Sequence, residues 1–252
     1  MNTKSHWNLH PDILGRLTWM HLRFAEILAP HVKGKSVLDL GCGSGELSNF
    51  LASRGAYVVG IDFSSTLIDT AKSKFGQTDK LKFIEADVLN LNLNLQFDII
   101  CGRAILHEIT HEDTPKLVDF FDGHLKTTGF GYFQENSFFN PLFRVVRSKL
   151  VGRYGIPKFG SDQETPFDRK RFKLYQNRFK YTQRSGEVFS LFRQLQGYLL
   201  QSKSSRVIES FDGLDMFITN LSLPDIIVRN TSYWQHIYFS KTIPKTKALR
   251  IK

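Results

Sequence analysis

Cysteine is scarce in this chain: Cys42 and Cys101 are the only two in 252 residues. Two thiols make no disulfide framework, and their separation fits no metal-ligand spacing. Small buried cysteines are the ordinary case, with a reactive thiol as the alternative. Long apolar runs are missing too, since no stretch approaches the roughly 18 to 20 residues of a membrane span. Met1-Asn2-Thr3-Lys4-Ser5-His6-Trp7 lacks the apolar core of a secretion signal. These absences together predict a cytoplasmic protein. Internal repeats and low-complexity tracts are also absent, and the length suits one α/β domain with an insertion. Acids are in deficit, 24 against 34 Lys and Arg, for a net charge of +10. The deficit is local. Between Arg144 and Arg184 stand 12 Lys and Arg against 3 acids, Asp162, Glu164 and Asp168. That segment carries nearly all of the excess and leaves the rest of the chain close to neutral.

What is present is a glycine turn. Val37-Leu38-Asp39-Leu40 reads as a buried parallel strand ending in a carboxylate, and Gly41-Cys42-Gly43-Ser44-Gly45 follows. Alternating glycines open backbone angles closed to other residues and let a ligand approach the main chain. Glu46 to Ala52 has the spacing of a helix that starts where the glycines stop. Strand, turn and helix N-terminus together make a nucleotide-type pocket. Tyr57 to Ile61 is a second apolar run, closed by Asp62, 23 positions after Asp39. An acid there can accept both hydroxyls of a ribose. It could instead cap the next helix, a role that Ser64 or Ser65 fills equally well. Leu81 to Glu85 gives a third strand, closing with Ala86-Asp87, where Asp87 suits an adenine amine or a plain turn. Phe97 to Cys101 gives a fourth.

From about residue 35 to 136, this order of elements resembles the class I S-adenosylmethionine-dependent methyltransferases. The resemblance rests on Val37 to Gly45, Asp62, Ala86-Asp87 and Phe97-Asp98-Ile99-Ile100. It implies that Asp39, Gly41 and Gly43 line the methionine and ribose end of S-adenosylmethionine, that Asp62 binds the ribose, and that Asp87 faces the adenine. Cys42, Phe63, Ala86 and Arg103 complete the expected cofactor set. A nicotinamide dinucleotide fold is the competing reading. Its glycines usually follow a G-x-G-x-x-G spacing around a pyrophosphate. A carboxylate just before the turn would repel that group and suits a sulfonium and an ammonium.

The methyl acceptor is expected outside the carboxyl ends of the strands. There the fourth strand runs into Gly102-Arg103-Ala104-Ile105-Leu106-His107-Glu108-Ile109-Thr110-His111-Glu112. His107, Glu108 and His111 are the polar candidates for catalysis, and a histidine can take a proton from a hydroxyl near neutral pH. A histidine bonded to backbone at a helix start is the plainer reading. The fifth strand, Gly129 to Gln134, brings Glu135 and Asn136 to the same rim, as acceptor-orienting, basic or capping groups. Some ubiquinone-pathway O-methyltransferases resemble this chain and place carboxylates and a histidine after strand four. Here one matching position is Ala104 and the order His107-Glu108 is reversed, so no metal is expected.

The basic segment is also aromatic. Thr165-Pro166-Phe167-Asp168 reads as a capped helix start. Phe172, Tyr175 and Phe179 then share one face, flanked or opposed by Arg171, Lys173, Arg178 and Lys180. Three readings stay open: a cap packed on the core, an interfacial helix on an anionic membrane surface, and a nucleic-acid surface. Pro11 to Leu28 is helical in period and, in the resembled family, such a helix often lids the cofactor; Trp7 or Trp19 is the candidate cover here, with core packing the plainer reading of Trp19. Arg206 to Asn220 reads as a further helix and Tyr233 to Ser240 as a closing strand.

The expected architecture is a single α/β domain with a seven-stranded Rossmann-like sheet, mostly parallel with an antiparallel last strand, and a helical substrate cap after strand five. Residues 1–34 form the lid, 35–136 the cofactor core, 137–200 the basic aromatic cap, and 201–252 the last helix and strand. The expected activity is O-methylation of a small-molecule or lipid-linked acceptor. RNA methylation and a non-catalytic S-adenosylmethionine-binding module are the alternatives.

Overall fold

The structure, a computed structural model, describes residues 19–91, 93–136, 165, 167–187, 232 and 234–243, with the single positions 145 and 149. Seven strands make one sheet: β1 (Ser36–Leu40), β2 (Tyr57–Asp62), β3 (Leu81–Glu85), β4 (Phe97–Arg103), β5 (Leu125–Asn136), β6 (Tyr181–Glu187) and β7 (Trp234–Ser240). Their order is β3-β2-β1-β4-β5-β7-β6. The first five run parallel, and β7 lies antiparallel between β5 and β6. Helices α1 (Trp19–Leu28), α2 (Glu46–Ser53), α3 (Ser65–Phe75), α4 (Thr114–His124) and α5 (Arg169–Arg178) complete the set used below.

Strand alternation sorts the core into two layers. Val37, Val58, Ile99, Cys101, Tyr132 and Tyr238 face one side and pack with Phe24, Leu28, Leu51 and Ile68 of α1, α2 and α3. Leu38, Leu40, Ile100, Phe133, Ile237 and Phe239 face the other, against Leu117 and Phe121 of α4 and Tyr175 of α5. Each fully buried large side chain contributes roughly 1.5–3 kcal/mol, so both faces hold the sheet. On the second face the Phe239 ring lies 4.5 Å from that of Phe179, 5.2 Å from Tyr175 and 5.3 Å from Phe121. Gly131 is its partner across the β5–β7 ladder. A Cβ on Gly131 would stand 2.0 Å from that ring, so only glycine lets it cross the strand.

The expected boundaries of the cap need correction. Within 137–200, α5 packs on the sheet and β6 is its edge strand, so 169–187 belongs to the core. Tyr-Thr-Gln-Arg-Ser-Gly-Glu lacks any apolar alternation, and among the described residues the strand pairs only with β7. The helix start also moves. Asp168, not Thr165, is the N-cap, its carboxylate accepting the amide of Arg171 at 3.0 Å. Of the aromatic stripe, Tyr175 and Phe179 are buried, which is the packed arrangement among the three readings of this helix. Outside it, Arg178 bridges to Asp122 of α4 at 2.8 Å. Strands four and five run two residues further than expected, to Arg103 and Asn136. Residues 11–18, most of the cap from 137 to 164, and Arg206 to Asn220 lie outside the described residues, as does the side chain of Trp19. No described helix is long and apolar enough to cross a membrane.

Candidate functional site

β1 delivers its chain to the glycine turn at the carboxyl edge of the sheet. Gly41, Gly43 and Gly45 all adopt positive φ, +67°, +55° and +88°. At Gly45 the demand is double, because a Cβ would also meet Phe83 at 2.8 Å and Ala71 at 2.9 Å. The turn is stitched to β2 by the amides of Gly41 and Cys42, both donating to the Ile61 carbonyl. Asp62 closes β2 beneath the turn. Its carboxylate accepts the amides of Gly43 at 3.0 Å and Ser64 at 2.9 Å. Ser64 caps α3, so Asp62 is not needed there. A carboxylate has about four acceptor positions, which leaves Asp62 capacity for a ligand hydroxyl.

Asp39 points from β1 toward α2 and accepts the Ser48 hydroxyl at 2.6 Å. Burial, with the nearby charges of Asp62 and Glu46, pushes its carboxyl up to about 7. Burial also raises Asp62, partly offset by its backbone donors. Glu46 is already paired with Lys74 at 2.9 Å, and the two carboxyls left under the turn, Asp39 and Asp62, favour a cationic ligand and disfavour a pyrophosphate. That chemistry fits S-adenosylmethionine. Burial pushes the Cys42 and Cys101 thiols well up, which suits packing rather than reactivity.

The remaining expected cofactor residues sit along the same edge. Phe63 and Ala86 are half-buried beside the ends of β2 and β3, and the Ala86 amide donates to the Asp62 carbonyl. Asp87 is exposed and caps a short 3-10 turn, accepting the Leu89 amide at 3.0 Å. Arg103 ends β4, with Nε donating to Gln134 at 2.7 Å and its guanidinium 4.8 Å over the Trp234 ring.

The loop after β4 holds the candidate acid–base groups. Ala104 takes positive φ, +54°, and turns the chain sharply. One oxygen of the fully buried Glu135 accepts the amides of Ile105 at 2.8 Å and Leu106 at 2.7 Å. The other lies 2.7 Å from Nδ1 of His107. A carboxylate only accepts, so Nδ1 carries the hydrogen and the basic position of a neutral ring is Nε2. Nε2 lies 3.6 Å from a Glu108 oxygen, beyond hydrogen-bond reach. His111 engages another partner. It is exposed, with Nε2 3.3 Å from Asp168. Among the described residues no three of His, Cys, Asp and Glu converge as a metal site.

Arg171, expected among the charges flanking or opposing the aromatic stripe, is instead 1% exposed and reaches under this loop. Nη1 donates to the Leu106 carbonyl at 2.8 Å and the Thr165 carbonyl at 3.2 Å. Nη2 donates to the Ile109 carbonyl and the Thr165 hydroxyl. Its place was written in the spacing, since 171, 175 and 179 lie four apart and share the buried face.

Residues 37–129 match the family described as "Methyltransferase domain". A ubiquinone biosynthesis O-methyltransferase of Coxiella burnetii is 35% identical over 123 residues, 48% of this chain and 50% of that protein. Phosphoethanolamine N-methyltransferase 1 of Arabidopsis thaliana is 30% identical over 114 residues, 44% of this chain and 23% of that protein. The chain thus spans half or less of the length of these curated relatives. A TehB-like SAM-dependent methyltransferase from Corynebacterium glutamicum has the same fold, with a TM-score of 0.52 at 14% identity over 87% of each chain.

Proposed function

Since the chain carries a class I S-adenosylmethionine-dependent methyltransferase domain, we propose that it transfers a methyl group to the hydroxyl of a small-molecule or lipid-linked acceptor. The observation that carries this reading is the glycine turn over Asp62, ringed by carboxylates, at the edge that also presents the His107 loop. When bound, S-adenosylmethionine supplies a methyl group on a positively charged sulfur, open to in-line displacement. Asp62 holds the ribose hydroxyls, and the backbone of Gly41 and Gly43 leaves room for the ligand beside the main chain. Asp62, and Asp39 once it has lost its proton, match its positive charge.

On the acceptor side, His107 takes the hydroxyl proton on Nε2, because Glu135 occupies Nδ1. Glu135 keeps that tautomer and also fixes the loop amides, so it orients rather than reacts. The names of the similar proteins support a small acceptor, one acting in ubiquinone biosynthesis as an O-methyltransferase and the other on phosphoethanolamine as an N-methyltransferase.

Calorimetric titration with S-adenosylmethionine and S-adenosylhomocysteine tests the reading. Wild type should bind both with affinity on the order of micromolar, about −8 kcal/mol. Asp62→Ala, shown to be folded, should weaken both at least about tenfold, a loss of about 1.4 kcal/mol. Absence of heat from folded wild-type protein would overturn the proposal. A labelled-methyl screen over hydroxyl-bearing compounds and lipid extracts then tests the acceptor class.

A further inference from the structure

The loop after β4 is gripped from two sides by opposite charges. From β5, Glu135 collects its amide hydrogens at Ile105 and Leu106 and the ring hydrogen of His107. From α5, Arg171 collects its carbonyls at Leu106 and Ile109. Leu106 is held at both ends of its own peptide groups. Thr165 joins the grip: its amide donates to the His107 carbonyl at 2.7 Å and its hydroxyl to the Ile109 carbonyl at 2.7 Å.

Burying a guanidinium is costly unless its hydrogens are spent well, and an apolar side chain of similar volume often serves packing better. Among the described residues Arg171 makes no ion pair within 4 Å, and its terminal nitrogens go to carbonyl and hydroxyl oxygens on the loop and on Thr165. Neighbouring positions on the same face of α5 are aromatic. Nε finds no partner among the described residues, so the two terminal nitrogens carry the whole grip, which simple filling of that face would not need.

We infer that Arg171 is a positioning residue for methyl transfer: with Glu135 as its opposite jaw, it sets the 104–109 loop and thereby aims His107 at the acceptor. The inference rests on the proposed methyltransferase reading of the same site. It adds a residue from outside the cofactor core, 36 positions beyond Glu135 in sequence. It also ties the loop to α5, so a shift of that helix is transmitted directly to the histidine.

The test uses the full chain, with S-adenosylhomocysteine as the probe. Long-range proton–nitrogen NMR of the histidine rings reports which ring nitrogen carries the hydrogen, with His107→Gln giving the assignment. Wild type should show His107 as a single Nδ1–H tautomer. Arg171→Met should move that signal toward a mixture of tautomers and speed exchange of the Ile105 and Leu106 amides at least about tenfold. Amides of β1 and β2 should keep their protection. Arg171→Lys should fall between, since an ammonium replaces one point of a fork.

An unchanged His107 signal and unchanged loop exchange in folded Arg171→Met would overturn the inference. If that variant does not fold, Thr165→Val removes a shared hydroxyl and should loosen the same two amides; no change there would overturn it equally. Binding of S-adenosylhomocysteine by wild type is read in the same samples. Its absence would count against the methyltransferase reading, whereas binding with an unmoved histidine would count against Arg171 alone.

Discussion

Asp39 lies under Ser48 with almost no solvent contact, and its carboxyl is lifted from 3.8 to about 7. In the unfolded chain it ionises near its ordinary value, so between these two values the folded state holds the extra proton. Stability then falls as pH rises, by up to about 1.4 kcal/mol for each pH unit across that window. The contribution is fully present below 3.8 and gone above about 7. Urea unfolding of Asp39→Asn should show a flatter dependence between pH 4 and pH 7 than wild type. Identical slopes would mean that Asp39 ionises freely in the folded protein. The place of Asp39 and Asp62 beside the glycine turn was readable because each closes an apolar run at a set distance from the other. Arg171 was not, because counting apolar residues assigns every arginine to water. Only its position four before Tyr175 carried the information.

Among elements, α5 and β7 depend on a single close approach. Phe239 reaches Tyr175 and Phe179 across Gly131, where a methyl group would have no room. Gly131→Ala should therefore destabilise by about 1–3 kcal/mol, as overpacked cores do. Adding Phe239→Leu should recover part of that loss, which a double-mutant cycle in urea would measure. If the single substitution is neutral, the ring has another place to go. β1, β2 and β4 were legible as apolar runs buried through most of their length, and the edge strand β3 by the buried Leu81 and Phe83 on either side of exposed Lys82. β6 was hidden for the opposite reason. Tyr181–Glu187 gains its strand state from ladder hydrogen bonds to β7, a partner some fifty residues later, and not from any pattern of its own.

For the whole molecule, the glycine turn connects β1, β2 and α2, so a ligand bound there would stabilise one cooperative unit. S-adenosylhomocysteine at about a hundred times its dissociation constant should add about 2.7 kcal/mol to the unfolding free energy. Asp62→Asn should lose most of that increment at the same concentration, as thermal unfolding would show. An equal shift in both proteins would place the binding elsewhere. The grip on the His107 loop draws on β4, β5, residue 165 and α5 together, an assembly that becomes visible only once the chain has folded.

The sheet order has a consequence for the growing chain. β7 lies between β5 and β6, yet of the seven described strands it is made last. Until residue 234 has emerged, β5 and β6 both lack the one strand that joins them among the described residues, and α5 lacks the Phe239 ring it rests on. The half around the glycine turn can form early, since β1 to β4 pair among themselves within residues 36–103. The half that steadies the 104–109 loop must wait for β7, and during that interval the β5 edge that β7 will cover is where a stray strand from another chain would join.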